Sequence, residues 1–290
     1  MSLLSLQQTI PYHLRTLYLF TQSDISTTVI PVTLFAIVAA PIHNLARIVH
    51  VVFWIWIHLL QFDIANQIVD PEEDSKNKAT RPIPAGRITL QNATRLRWIL
   101  LPVCFAYSAL YSAQVLGASV AMAVLTLVYH EGHAHAHWLS KNVVTAVDYG
   151  AFELGATLVA GSDYSRIEPT GLLSVVISTA IQATTLQAQD FKDVEGDHLI
   201  GRTTIPIVFP TLSRPSMLIG LILWSVYLCM TWKLDLACSV AFVGLSALIG
   251  ARFVLYKERQ EDKVSCKLYS LWSSVVYLLP AYWRYFHAQA

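Results

Sequence analysis

Charged side chains are scarce in this sequence: Asp, Glu, Lys and Arg make up 13% of its 290 residues, against about a quarter in a soluble domain. Apolar residues reach 54% and the mean hydropathy is +0.48, which excludes an ordinary soluble domain and points to a bilayer. A strong field of one sign is also missing. The formal net charge of +1 gives no support to a nucleic-acid partner. The four cysteines, Cys104, Cys229, Cys238 and Cys266, are scattered through mostly apolar surroundings. They read as buried thiols, which excludes a disulfide framework and a cysteine metal site. The opening MSLLSLQQTIPYHLRTLYLF lacks the basic start, short apolar core and small-residue cleavage site of a signal peptide, so the first helix is expected to be retained. No Ser/Gly linker or low-complexity tail divides residues 1–290, which are expected to form one transmembrane domain, and nothing indicates an obligate protein partner.

What the chain does contain is apolar runs of near-spanning length, at about 25–41, 47–66, 98–114, 116–130, 142–161, 170–189, 213–231, 234–254 and 267–286. They predict an all-α, polytopic bundle of about nine transmembrane helices in direct contact with lipid. With nine spans, alternate loops fall on opposite sides. One set carries Lys76, Lys78, Arg81, Arg87, Arg95, Arg97, Lys141, Lys192, Arg202, Arg214, Lys257, Arg259, Lys263 and Lys267; the other holds little beyond Arg47, Arg166 and Lys233. The positive-inside bias then places the N-terminus and the charged loops in the cytosol.

The longest polar stretch, NQIVDPEEDSKNKATRPIPAGR, follows the second run. If the helix continues, Asn66, Asp70 and Asp74 share one face, with Asp63 a turn earlier. Pro71 should kink or end that helix near Asp70. A second stripe stands in QAQDFKDVEGDHLIGR, where Asp190, Asp193 and Asp197 recur at three and four residues. Like charges at such spacing repel and call for a cation between them. Carboxylate and amide oxygens suit Mg²⁺, which binds through one or two carboxylates plus substrate phosphate oxygens. Lys78, Arg81, Lys192 and Arg202 would then neutralise the outer oxygens of a diphosphate. A single acid–base run at a membrane boundary is ordinarily a wet face; two matched stripes on separate helices argue for a site.

With these two stripes the chain resembles the UbiA-type intramembrane prenyltransferase superfamily, whose aspartate-rich motifs read NDxxDxxxD and DxxDxxxD. RPIPAG after the first motif and DVEGDHLIGRTTIP at the second resemble the flanks of the same superfamily, over essentially the whole chain. The resemblance implies nine transmembrane helices around a lipid-accessible central cavity with a cytosolic cap. It also implies Mg²⁺-dependent ionisation of an isoprenyl diphosphate. One departure is Gln67, which stands where the family has aspartate, so the first site loses a charge. NQ, PEED, RPIPAGRIT, HWLSKN, FELGATLVAG and QDFKDVEGD are similar to the fungal branch that includes UbiA-type terpene cyclases. That likeness implies cyclisation of the prenyl cation, with farnesyl diphosphate as the expected substrate and the endoplasmic reticulum as the expected membrane. The alternative is transfer of the prenyl group to an aromatic or other acceptor.

Breaking the allylic C–O bond puts negative charge on the leaving diphosphate, which metal ions, Lys and Arg stabilise more in the transition state than in the ground state. Asp70 and Asp190 are the acids expected to be indispensable. The carbocation needs a dry cavity with aromatic faces, and Phe53, Trp54, Trp56, Phe62, Phe105, Tyr107, Tyr129, Trp138, Tyr149 and Phe152 are available, though each also suits interface anchoring or packing. Glu153, at membrane depth, could take the terminal proton, pair with an arginine or hold a water; Asp148 and Tyr149 are equally open. His130, His133, His135 and His137 in YHEGHAHAHW spell HExH rather than HExxH, so a zinc hydrolase has no support. Adventitious transition-metal binding, a loop capping the diphosphate site and a plain wet loop all remain open for them.

Overall fold

A computed structural model describes residues 3–41, 44–69, 71, 74, 78–199 and 201–287, with side chains from Ile10 onward. Helices account for nearly all of it, and no strand occurs among the described residues. Helix α1 (Leu3–Thr21) leads through a π-helical turn, Ile25–Val29, into α2 (Ile30–Ala39), where Pro31 occupies the first turn and needs no intrahelical partner. The chain bends by 60° between Ile10–Thr21 and Ile25–Ala39. Then follow α3 (Ala46–Val69), α4 (Leu90–Ala109), α5 (Ala113–His130), α6 (Trp138–Ala160) and α7 (Pro169–Thr185). Two 3₁₀ turns, Leu186–Gln189 and Phe191–Asp193, carry the chain into the short α8 (Val194–Leu199) and α9 (Ile205–Val208). The chain closes with α10 (Ser213–Thr231), α11 (Leu236–Leu255) and α12 (Arg259–His287).

The starts of these helices are written locally. Thr89 accepts from the Asn92 amide at 3.2 Å, Ser112 from Val115 at 3.1 Å and Asp235 from Cys238 at 2.9 Å, which are N-cap bonds satisfying otherwise orphan donors. In the interior, indole N–H groups find hydroxyls: Trp54 donates to Ser108 and Trp272 to Ser225, both at 2.9 Å. Without water each such donor would be costly.

Six helices among the described residues are long and apolar enough to span a membrane, or seven if the bent pair counts as one. The expected nine crossings are therefore not all supported on those grounds. Helices α4 and α12 overlap two of the nine apolar runs but fall outside the six; Asn92, Arg95 and Arg97 lower the hydropathy of the former, and Lys267, Arg284 and several Ser and Tyr side chains that of the latter. The bundle turns large apolar side chains outward, among them Val49, Leu110, Leu223, Leu236, Val240 and Leu248, each more than half exposed. Soluble monomers seldom present so much apolar surface; a lipid-facing wall does. The chain is a multi-pass integral membrane protein.

Helix α6 is the hub, packing against α2, α3, α5 and α7. One core cluster joins α2, α3, α5 and α6 around Trp54, Ile55, Val115, Phe152 and Ala156. A second joins α7, α10, α11 and α12 around Met217, Leu221, Phe253 and Trp272. Gly155 lets α3 approach α6: a Cβ there would come within 2.3 Å of the Trp54 ring. That close approach aligns α3 and α6 as facing walls of the cavity described next.

Candidate active site

Between α3, α5 and α6 lies a cavity of about 210 Å³. Along α6 its wall is Lys141, Val144, Thr145, Asp148, Tyr149 and Phe152, a stripe at three- and four-residue spacing that one helical face provides. Helix α3 contributes His58, Leu59, Phe62 and Asp63; α5 contributes Met122, Leu125 and Tyr129; Asp24 and Thr28 enter from the turn before α2; Leu186, Gln189 and Asp190 close one end.

That end is where α7 gives way to the 3₁₀ turns. The sequence predicts a single helical face for Asp190, Asp193 and Asp197; the structure instead breaks the helix after Thr185 and divides them among 3₁₀ and α segments. The break keeps the three acids at one end of the bundle but gives them different surroundings. Asp190 is buried, and its Oδ1 receives a hydrogen bond from Lys141 Nζ across the cavity end. Its Oδ2 is buried with no partner among the described residues. Asp193 has a side chain 54% exposed and only a 3.8 Å contact with Lys192. Asp197 is buried and accepts from Arg202 at 3.1 Å.

Of the first stripe, Asp70 lies outside the described residues. Asn66 is exposed in the last turn of α3. Asp74 is buried and takes both carboxylate oxygens to Arg81 Nη1 at 2.8 Å. Lys78 is exposed, with its amide bonded to the Asp74 carbonyl at 2.8 Å. Gln67, the departure from the family pattern, turns away from this chemistry and donates to the Phe20 carbonyl in α1 at 3.1 Å. It works as a packing contact.

The donor set suits a hard divalent cation. Among the described residues no three His, Cys, Asp or Glu side chains converge on one point, and in the second stripe the free buried Oδ2 of Asp190 is the foremost oxygen on offer. That is how Mg²⁺ binds when phosphate and water complete its shell.

Glu153 is not in the cavity. It is fully buried and accepts a hydrogen bond from Ser178 Oγ of α7 at 2.7 Å. Five residues separate it from Asp148, a turn of about 140° around the helix, so the two carboxylates face different neighbours. Of the ten aromatic side chains named from the sequence, Phe62, Tyr129, Tyr149 and Phe152 line the cavity. Trp54 is core, Trp56 bonds to Thr21 at 3.2 Å, and Trp138 packs edge-on against Phe209.

The histidine loop closes over the same end of the bundle. His135 Nδ1 bonds the Tyr129 carbonyl at 2.7 Å, and the Ala136 carbonyl accepts from the amide and hydroxyl of Thr203 at 2.9 and 3.0 Å. Glu131 is gripped by Arg97 at 2.5 and 3.1 Å. Partial burial works to raise the Glu131 pKa, and the Arg97 hydrogen bonds and charge outweigh it and lower it. The loop is thus tethered next to Arg202 and Asp197, with its only acid already spoken for.

The sequence reading missed Lys141 as a site residue and counted it only as a cytosolic charge. The signal was available: Lys141, Thr145 and Asp148 interrupt an apolar helix at four- and three-residue intervals, with Phe152 next on the same face. Asp24 carried no such signal, because only the fold brings the turn before α2 to the cavity.

Comparison with known proteins follows the same outline. The family model described as UbiA prenyltransferase family matches residues 28–274. The chain is 31% identical over 274 residues to the fumagillin beta-trans-bergamotene synthase of Aspergillus fumigatus, covering 93% of each chain. It is 29% identical over 280 residues to the somaliensene A/B synthase of Streptomyces somaliensis, covering 88% of each. Among solved structures, a UbiA homologue from Archaeoglobus fulgidus bound to GPP and Mg²⁺ superposes with a TM-score of 0.66 at 14% identity, over 90% of this chain and 98% of that one.

Proposed function

The chain belongs to the UbiA prenyltransferase family, and we propose that within it this protein is a Mg²⁺-dependent membrane terpene cyclase that ionises a prenyl diphosphate, farnesyl diphosphate first among candidates, and closes the resulting cation to a hydrocarbon. The observation that carries this reading is the cavity's polarity: Lys141 paired with Asp190 at one end, and Phe62, Tyr129, Tyr149 and Phe152 along the walls. A headgroup fits the first and an isoprenoid chain the second.

In this reading Lys141 and Arg81, with Lys78, Lys192 and Arg202, hold the diphosphate oxygens and stabilise the charge that builds on them as the C–O bond breaks. Asn66, Asp70, Asp74, Asp190, Asp193 and Asp197 would hold Mg²⁺, which when bound would supply Lewis-acid neutralisation of the leaving group. The aromatic walls exclude water and offer π-faces to the cation. Counting the bent α1–α2 pair, α4 and α12 as crossings completes nine spans, with the charged loops in the cytosol and the protein in the endoplasmic reticulum.

The runner-up is transfer of the same cation to an acceptor, which the family's name favours and which shares every ionisation residue. Ionisation itself is tested by following diphosphate release from farnesyl diphosphate by membranes containing the protein, with Mg²⁺ or with EDTA. Release with Mg²⁺ that stops in EDTA is expected. Equal release in both would overturn the metal assignment.

A further inference from the structure

Resting on the cyclase reading above, we infer that Asp148 is the proton acceptor that ends the reaction by deprotonating the cyclised cation. Asp148 lines the cavity, and its Oδ1 is buried without a hydrogen-bond partner among the described residues. It lies seven residues beyond Lys141 on the same helical stripe, about 10 Å deeper at 1.5 Å per residue. A substrate held by its headgroup at Lys141 and Asp190 therefore passes Asp148 with its hydrocarbon, well beyond the allylic carbon.

The other candidate bases around the cavity are either engaged in hydrogen bonds or placed at its headgroup end. His58 Nδ1 is at 2.7 Å from the Trp54 carbonyl, which only an N–H can approach, and its Nε2 is at 2.7 Å from Ser119 Oγ; both nitrogens are taken. Asp24 accepts from Ser23 at 2.7 Å and from Thr27 at 3.4 Å. Asp190 holds Lys141 through Oδ1, and its free Oδ2 lies at the headgroup end of the cavity. Asp63 has an unpartnered buried oxygen too, but it sits one helical turn before Asn66, beside the metal stripe, where a carboxylate faces the diphosphate. Glu153 is turned to Ser178, outside the cavity.

The step balances without a further reactant. A C–H bond next to the cationic carbon breaks, its electron pair forms the product C=C bond, and the proton adds to Asp148 Oδ1. The neutral hydrocarbon leaves, and the carboxylic acid returns its proton to the released diphosphate or to water.

Since deprotonation follows ionisation, the variant should change what is made more than how fast diphosphate appears. In Asp148→Asn the ratio of wild-type hydrocarbon to released diphosphate should fall about a hundredfold, the lower range of a general base's contribution, with other olefin isomers or water-quenched alcohols in its place. Asp148→Glu keeps a carboxylate and should restore hydrocarbon formation to within about tenfold of wild type. An unchanged product ratio in Asp148→Asn overturns the inference, as does an Asp148→Glu variant as deficient as the amide, which would mark a packing role. If the wild type releases diphosphate only with an acceptor, the cyclase reading itself fails, a result distinguishable because it needs no variant.

Discussion

Asp190→Asn should slow diphosphate release by at least about a hundredfold, the scale on which removing one preplaced stabiliser of transition-state charge is felt. The carboxylate is buried at the cavity end, holds Lys141 through Oδ1 and keeps Oδ2 free. The amide keeps the shape but loses the charge that positions Lys141 and the second oxygen available to a metal. Asp193, more than half exposed with only a long contact to Lys192, should tolerate the same change with a much smaller loss. Initial rates of diphosphate release in the two variants, at matched amounts of folded protein, decide the point. Wild-type turnover in Asp190→Asn would remove the second stripe from the chemistry.

Asp262→Ala should destabilise the fold by about 3–5 kcal/mol, the cost of leaving one partner of a buried ion pair alone. Asp262 is 1% exposed and receives Arg214 through two bonds of 2.8 Å. The same guanidinium donates to the Phe253 carbonyl at 2.8 Å and stacks 4.6 Å from the Phe191 ring centroid. Phe191 follows Asp190 directly, and Arg259 holds the Lys192 carbonyl at 3.2 Å. Two arginines thus pin the 3₁₀ segment that directly follows Asp190 against α11 and α12. Equilibrium unfolding in detergent measures the loss, and Asp262→Leu combined with Arg214→Leu should recover most of it, since apolar pairs replace buried ion pairs at little cost. A loss below about 1 kcal/mol in Asp262→Ala would assign the pair to the weak surface class.

The two aspartate stripes were legible because metal and phosphate chemistry restricts both residue type and spacing, and because acids are rare in this chain. Their environments were not. The helical spacing of Asp190, Asp193 and Asp197 gave no warning that α7 ends at Thr185, since 3₁₀ and α turns both return a side chain to the same side after three residues. Glu153 drew attention as a charge at membrane depth, yet five residues from Asp148 it faces α7 and Ser178, and only the packing of α6 against its neighbours tells the two apart. Most apolar runs overlie helices, but the run at 98–114 crosses the break between α4 and α5, and none marked α1. Their number as crossings was less secure, because α4 and α12 begin with polar turns at the interface where length and hydropathy stop agreeing. Lys141 shows the reverse case: its spacing to Thr145, Asp148 and Phe152 was present in the sequence, but a lysine after a histidine-rich loop looks like any cytosolic charge until the cavity is seen.

In a cyclase the cation closes on itself. Membranes containing the protein, incubated with Mg²⁺ and farnesyl diphosphate without any acceptor, should yield a cyclic hydrocarbon in the organic extract by gas chromatography with mass detection. Diphosphate consumed only after an aromatic or other acceptor is added, with the prenyl group recovered on that acceptor, would contradict the cyclase account and assign this chain to prenyl transfer.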